Sequence, residues 1–176
     1  MLRFLNVERL APLLVPRQTA AHVVRQFAIE AEQDGAKFIE AEHMLLTLAT
    51  SSDSAAGRLL NEAGLNYRQI ASALRDERMR TLAFAGVEPL DEKQAIATEL
   101  DSPLTLGTSA KAAIKRALIA SHDSRPHRPR LHSTDLLLGI LQAELGTVPR
   151  TLAIAGVDRA ALISRTRKLQ MDTRKC

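Results

Sequence analysis

The chain has 176 residues, of which 45% are hydrophobic but only 3% aromatic, with no Trp. Its 24 Lys and Arg against 20 Asp and Glu leave a formal charge of +4, an excess too small to demand nucleic acid as a partner. The single Cys, Cys176, excludes an internal disulfide and a Cys-based metal site, and eight Gly with seven Pro are too few for a turn-rich β-sandwich.

Residues 1–17 are read as an N-terminal extension. Charges interrupt the first ten residues, so they do not read as a secretory signal. No window approaches the ~20 apolar residues that span a bilayer. The spacing then predicts a helix over 18–35, where Val23, Phe27 and Ala31 step by four with Val24 and Ala28 alongside. Gly35 is its stop. A second helix is predicted from Ala41 to Ala49. Met44, Leu45, Leu48 and Ala49 share a face that Leu46 widens, the pattern of a helix buried on most sides.

Thr50 to Ser54 is rich in N-cap residues and opens a third helix over about 54–63, ended by Gly64. Asn66 caps a fourth, carrying Ile70, Ala73 and Leu74. Residues 18–75 thus form a four-helix unit whose short helices depend on packing against one another. Residues 76–104 read as a linker, opened by the charged run Arg75 to Arg80 and punctuated by Gly86, Pro89 and Pro103.

A second unit is predicted over 105–169. Its first helix, Ala110 to Ser121, turns Ala113, Ile114, Ala117 and Leu118 inward. The next carries Leu136, Leu137, Ile140 and Leu141. A third spans about Thr147 to Ala155 and ends at Gly156, and a fourth is marked by Ala161, Leu162, Arg165 and Leu169. Residues 170–176 are a polar tail. Between the first two helices of this unit, residues 121–132 read as a loop longer and more basic than its counterpart over 35–38, with Arg125, Arg128 and Arg130 as a candidate partner contact.

The two units keep register. Glu42 corresponds to Thr134 and Gly64 to Gly156, both pairs 92 positions apart. An internal repeat of this kind constrains the fold more than any single residue.

No P-loop, Gly-x-Ser-x-Gly elbow or His-Glu-x-x-His pair is present. Glu42 and His43 are adjacent and diverge by about 100° on a helix, so they do not read as an acid/base pair. Glu42 suits the first turn of a helix, where the dipole favours an acid. His122, His127 and His132 share a loop without the spacing of a metal site. No catalytic residue, metal or cofactor is expected.

The repeated motif resembles the Clp N-terminal repeat. The resemblance rests on Glu42-His-Met-Leu-Leu46 with Leu60-x-x-x-Gly64-Leu65, and on Thr134-Asp-Leu-Leu-Leu-Gly139 with Leu152-x-x-x-Gly156-Val157. Two such repeats form the N-terminal receptor domain of the ClpA, ClpC and ClpB unfoldases, which recognises adaptors or substrates and passes them to an ATPase ring. The resemblance implies an all-α domain of two tandem, pseudo-symmetric four-helix repeats. It covers only that receptor module, as a stand-alone form without the ATPase.

In ClpC-type domains each repeat can hold a phosphorylated arginine. An acid in a Thr-Glu-His motif takes the guanidinium, and a Thr at the start of the first helix helps with the phosphate. Here Glu42 keeps the acid, Ala41 stands for the motif Thr, and Arg17 falls at the first-helix Thr, with Thr19 close by. In the second repeat Thr134 replaces the acid, and Gly107, beside Thr108, falls at the Thr position. The resemblance therefore implies a ligand site around Glu42, Arg17 and Thr19, and a degenerate counterpart at Thr134 and Thr108. The expected function is that of a non-catalytic, cytoplasmic protein-binding module whose partner is a Clp unfoldase, an adaptor or a substrate protein. A basic, nucleic-acid-associated regulator using Arg125, Arg128 and Arg130 is the alternative.

Overall fold

The structure, a computed structural model, describes residues 17–87, 104–124 and 131–172, with side chains from residue 25 onward. Among these residues the first unit contains α1 (Arg17–Gln33), β1 (Phe38–Ile39), α2 (Ala41–Thr50), α3 (Ala55–Glu62) and α4 (Tyr67–Phe84). The second contains β2 (Thr105–Leu106), α5 (Thr108–Ser124), α6 (Ser133–Leu141), α7 (Thr147–Ile154) and α8 (Arg159–Asp172). Among the described residues the fold is all-α, with four helices in each unit.

Local chemistry sets the helix ends. Ser54 accepts a hydrogen bond from the Gly57 N–H at 2.9 Å and starts α3. Asn66 and Gln69 cap each other's backbone N–H groups at the start of α4. Gly64 and Gly156 have φ of 73° and 70°. Each lets the next residue bond back across the last turn, Leu65 N–H to Leu60 O at 2.8 Å and Val157 N–H to Leu152 O at 3.0 Å. A residue with a Cβ would pay for that left-handed turn, which is why the glycines recur in both repeats.

The two central helices, α2 and α6, are buried along nearly their whole length. Met44, Leu45, Leu137, Ile140 and Leu141 are fully enclosed, each contributing about 1.5–3 kcal/mol by the area removed from water. One continuous core joins both units, from Phe27 and Ala31 on α1 to Leu152 and Leu162 on α7 and α8. The packing crosses over: α4 of the first unit lies on α7 of the second, and α3 lies on α8. At Gly139, α6 approaches α5 so closely that a Cβ would stand 2.3 Å from the Ala113 carbonyl oxygen.

β1 and β2 pair in parallel, Phe38 with Thr105 and Ile39 with Leu106. This two-residue ladder is absent from the sequence-based expectation, because its strands are too short to show periodicity. It brings the segment leading into α2 beside the segment leading into α5.

Two boundaries differ from expectation. α4 continues through the charged run Arg75 to Arg80 and ends at Phe84, well inside the stretch read as linker. The reason is tertiary: Glu77 is buried against α7, where Arg150 pairs with it. α5 likewise runs to Ser124, which leaves residues 125–132 between α5 and α6 against residues 34–40 between α1 and α2. The second connection is therefore scarcely longer than the first. Residues 1–16, most of the linker, Arg125, Arg128, Arg130 and the end of the tail lie outside the described residues.

Candidate functional site

The start of α2 is bonded both within its own first turn and across to α5. Glu40 is its N-cap, with extended φ and ψ of −110° and 173°. His43, in the first turn, accepts a hydrogen bond from the Glu40 N–H on Nδ1 at 2.9 Å. The imidazole thus takes the part that Glu or Gln plays in a capping box. With Nδ1 accepting, the neutral ring carries its proton on Nε2. That atom is buried, has no hydrogen-bond partner within reach, and stands 3.6 Å from Asp34 Oδ2.

Asp34, at the end of α1, is held in a fork by Arg78 of α4, with N···O distances of 2.6 and 3.2 Å. Burial would raise the Asp34 carboxyl, but the facing donors of His43 and Arg78 outweigh it and hold the pKa at about 2. Since His43 is beyond hydrogen-bond distance, Arg78 supplies the stronger contact. Beside them Glu42 is partly buried. Burial pushes its carboxyl above the ordinary value; a backbone hydrogen bond and His43 oppose that, while the charges of Glu40 and Asp34 add to it.

The Glu40 side chain reaches across to α5. Its Oε2 accepts the Ser109 N–H at 2.9 Å and the Ser109 hydroxyl at 2.5 Å. The Ser109 oxygen in turn accepts the Ala41 N–H at 2.8 Å, at the start of α2. Each helix N-terminus is therefore satisfied by a residue of the other repeat, which removes orphan donors from both. The Gly107 N–H adds a bond to Ile39 O at 2.8 Å. A Cβ on Gly107 would lie 1.9 Å from Glu40 Oε1, so the glycine leaves room for the carboxylate.

This geometry regroups the residues marked by sequence. The start of α2 adjoins the C-terminal end of α1 through His43 and Asp34. Arg17 and Thr19 lie at the opposite end of that 17-residue helix, roughly 25 Å away along its axis. The structure does not bring them to Glu42. What it brings to the start of α2 is the Gly107–Thr108–Ser109 turn. Thr108 is likewise at the far end of α5 from Thr134, which is buried.

The second repeat answers the first with a different acid. Asp135, at the position equivalent to His43, is fully buried. It accepts the His132 N–H at 2.7 Å and the Gln170 side-chain amide at 2.5 Å. The acid is thus spent on internal bonds. Among the described residues, no three His, Cys, Asp or Glu side chains converge as a metal site would require. No described helix is long and apolar enough to cross a membrane.

Sequence inspection missed Glu40, Ser109, Asp34 and Arg78. The available signals were a carboxylate at an N-cap position and a glycine where the repeat pattern places a Thr.

Two solved structures resemble the chain along most of its length. The N-terminal domain of ClpD, a caseinolytic protease associated chaperone from Arabidopsis thaliana, gives a TM-score of 0.63 at 18% identity, over 97% of this chain and 99% of that one. A structure described with a malarial protein secretion system gives a TM-score of 0.57 at 18% identity, over 87% and 92%. No family model matches the sequence, and no curated protein does. The likeness is one of fold.

Proposed function

We propose that this chain, which has the fold of a Clp N-terminal domain, is a non-catalytic polypeptide-binding module of a cytoplasmic protein quality-control system. The observation that carries it is the fold likeness to the ClpD domain over nearly the whole of both chains. That relative is a chaperone associated with a protease, and the other solved structure concerns protein secretion, so both belong to systems that handle polypeptides. The partner of this chain is then a substrate protein, an adaptor or a Clp unfoldase.

A cleft of about 400 Å³ between α5, α6 and α8 supports the reading. Leu138 lies in it, with Ile119 and Met171 half-exposed at its walls. Arg116 reaches over from α5 and donates through Nε to the Gly139 carbonyl at 2.7 Å. Mostly apolar clefts with a few placed polar groups are the usual form of a ligand site.

At the start of α2 the charges favour an unmodified basic side chain over phosphoarginine. The α5 N-terminus, which would attract a phosphate, already holds the Glu40 carboxylate. Glu42 adds negative charge nearby, while Asp34 is already paired with Arg78. A guanidinium is attracted there, and a phosphate is repelled.

The test is a titration of the purified chain with a fluorescein-labelled unfolded polypeptide, with free arginine amide and phosphoarginine as competitors. Saturable polypeptide binding, weakened in Glu42→Ala and displaced better by arginine amide, is the expected result. No saturable binding would overturn the module reading. Stronger competition by phosphoarginine, lost in Glu42→Ala, would overturn the charge argument alone.

A further inference from the structure

The inward stripe of α4 runs past the surface it packs on. Ile70, Ala73 and Glu77 are buried and succeed one another at helical spacing. Thr81 and Phe84 continue the stripe, yet Phe84 is 97% exposed. A residue at an inward-facing position is left in water because the helix has outrun its support.

Beneath that overhang, Thr81 and Phe84 on α4 face Ala153 and Ile154 on α7 across a groove of about 550 Å³. The Glu77 carboxylate lies at its floor, accepting Arg150 Nε at 2.6 Å and the Thr81 hydroxyl at 2.9 Å. Arg150 offsets that charge. Arg80 also lines the groove and has no ion pair among the described residues. The groove therefore offers an aromatic and aliphatic wall beside an unbalanced cation.

Its dimensions argue against a second copy as the occupant. Among the residues that line the groove, Phe84 is the large apolar side chain left exposed. An aromatic side chain buries about 150–250 Å², whereas each partner of a stable interface buries roughly 600 Å² or more. A short segment fits; a globular face does not.

We propose that the α4–α7 groove docks an acidic, apolar-anchored segment of a partner protein. A large apolar side chain packs against Phe84 and Ile154, and a neighbouring Asp or Glu pairs with Arg80. This surface is separate from the α5–α6–α8 cleft and from the start of α2. It shares with the preceding section only the premise that the chain binds polypeptides.

The test places an environment-sensitive fluorophore at the groove, on Ala153→Cys in a Cys176→Ser background. The probe ligand is a short blocked peptide alternating glutamate with leucine, compared with its lysine-for-glutamate and serine-for-leucine versions. A blue shift with the glutamate–leucine peptide alone is expected. Phe84→Ser should weaken binding about thirtyfold, as for a buried aromatic anchor, and Arg80→Glu about tenfold. Phe84 is nearly free of contacts, so its replacement leaves folding intact.

Three results would overturn the proposal. A blue shift before any peptide is added, unchanged on dilution, means that the chain covers the groove itself. A shift lost on dilution means a second copy. No response, or one that survives both substitutions, means that the groove takes no such segment. If it fails while the unfolded polypeptide still binds, the module reading stands and only this groove is rejected.

Discussion

Gly107→Ala should change sign with the residue at position 40. In the native chain the new Cβ would lie 1.9 Å from Glu40 Oε1 and must expel the carboxylate from the α5 N-terminus. The two hydrogen bonds to Ser109 then go, and with them the favourable charge at that helix end. Losing an N-cap costs about 0.5–2 kcal/mol, and losing the helix-end charge about 0.3–1 kcal/mol. Against this, replacing glycine by alanine stabilises by about 0.4–1 kcal/mol through the unfolded chain. The balance is a net loss of about 1 kcal/mol. In a Glu40→Ala background nothing remains to expel, and the same substitution should stabilise by about 0.4–1 kcal/mol. Urea unfolding followed by far-ultraviolet circular dichroism, on the wild type, both single variants and the double variant, measures the cycle. Equal effects of Gly107→Ala in both backgrounds would refute the reasoning, for the clash with Glu40 would then have no energetic weight.

Acid should remove the contribution of Asp34. Its pKa is lowered from 3.8 to about 2, so its stabilisation is present above about pH 4 and is lost as pH falls through 2. With its side chain 35% exposed, screening reduces the effect to about 1 kcal/mol. Asp34→Asn should therefore lower the urea midpoint at pH 6, with the difference shrinking as pH falls through 2 and vanishing well below it. Gly139→Ala should destabilise by about 2 kcal/mol, since its Cβ meets the Ala113 carbonyl oxygen at 2.3 Å and the Ala117 nitrogen at 2.8 Å. Those are backbone atoms that cannot swing aside, so the same urea series should show a loss despite the better helix propensity of alanine.

Much of the architecture was legible because its signals are local. Ser54, Asn66, Gly64 and Gly156 act within one helical turn, so their spacing reveals helix ends and, by repetition, the two units. The apolar density of residues 44–49 and 136–141 marks the two central helices for the same reason. The bonding around α2 was not legible, because it is written across the chain. Glu40 meets Ser109 from 69 positions away, and Asp34 meets Arg78 from 44. The run Arg75 to Arg80 was misjudged on the same ground. Charge density reads as linker unless one knows that Arg150 waits on α7 for Glu77. Glu42 was identifiable as a helix-start acid, but the residues grouped with it were taken from its own repeat, and the neighbouring turn belongs to the other.

The seam between β1, α2 and α5 has a further consequence. Two like repeats that cap each other's helices have the geometry of a two-fold dimer interface closed within one chain. In a true dimer every substitution appears on both sides at once, so Glu40 would demand a glycine on each subunit. Covalent tandem linkage lifts that obligation. One end of the seam can carry a carboxylate and the glycine that admits it, while the equivalent position in the other repeat is His132, whose neighbourhood is organised by Asp135 and Gln170. Duplication within one chain thus lets two faces of one architecture specialise separately without disturbing the core they share.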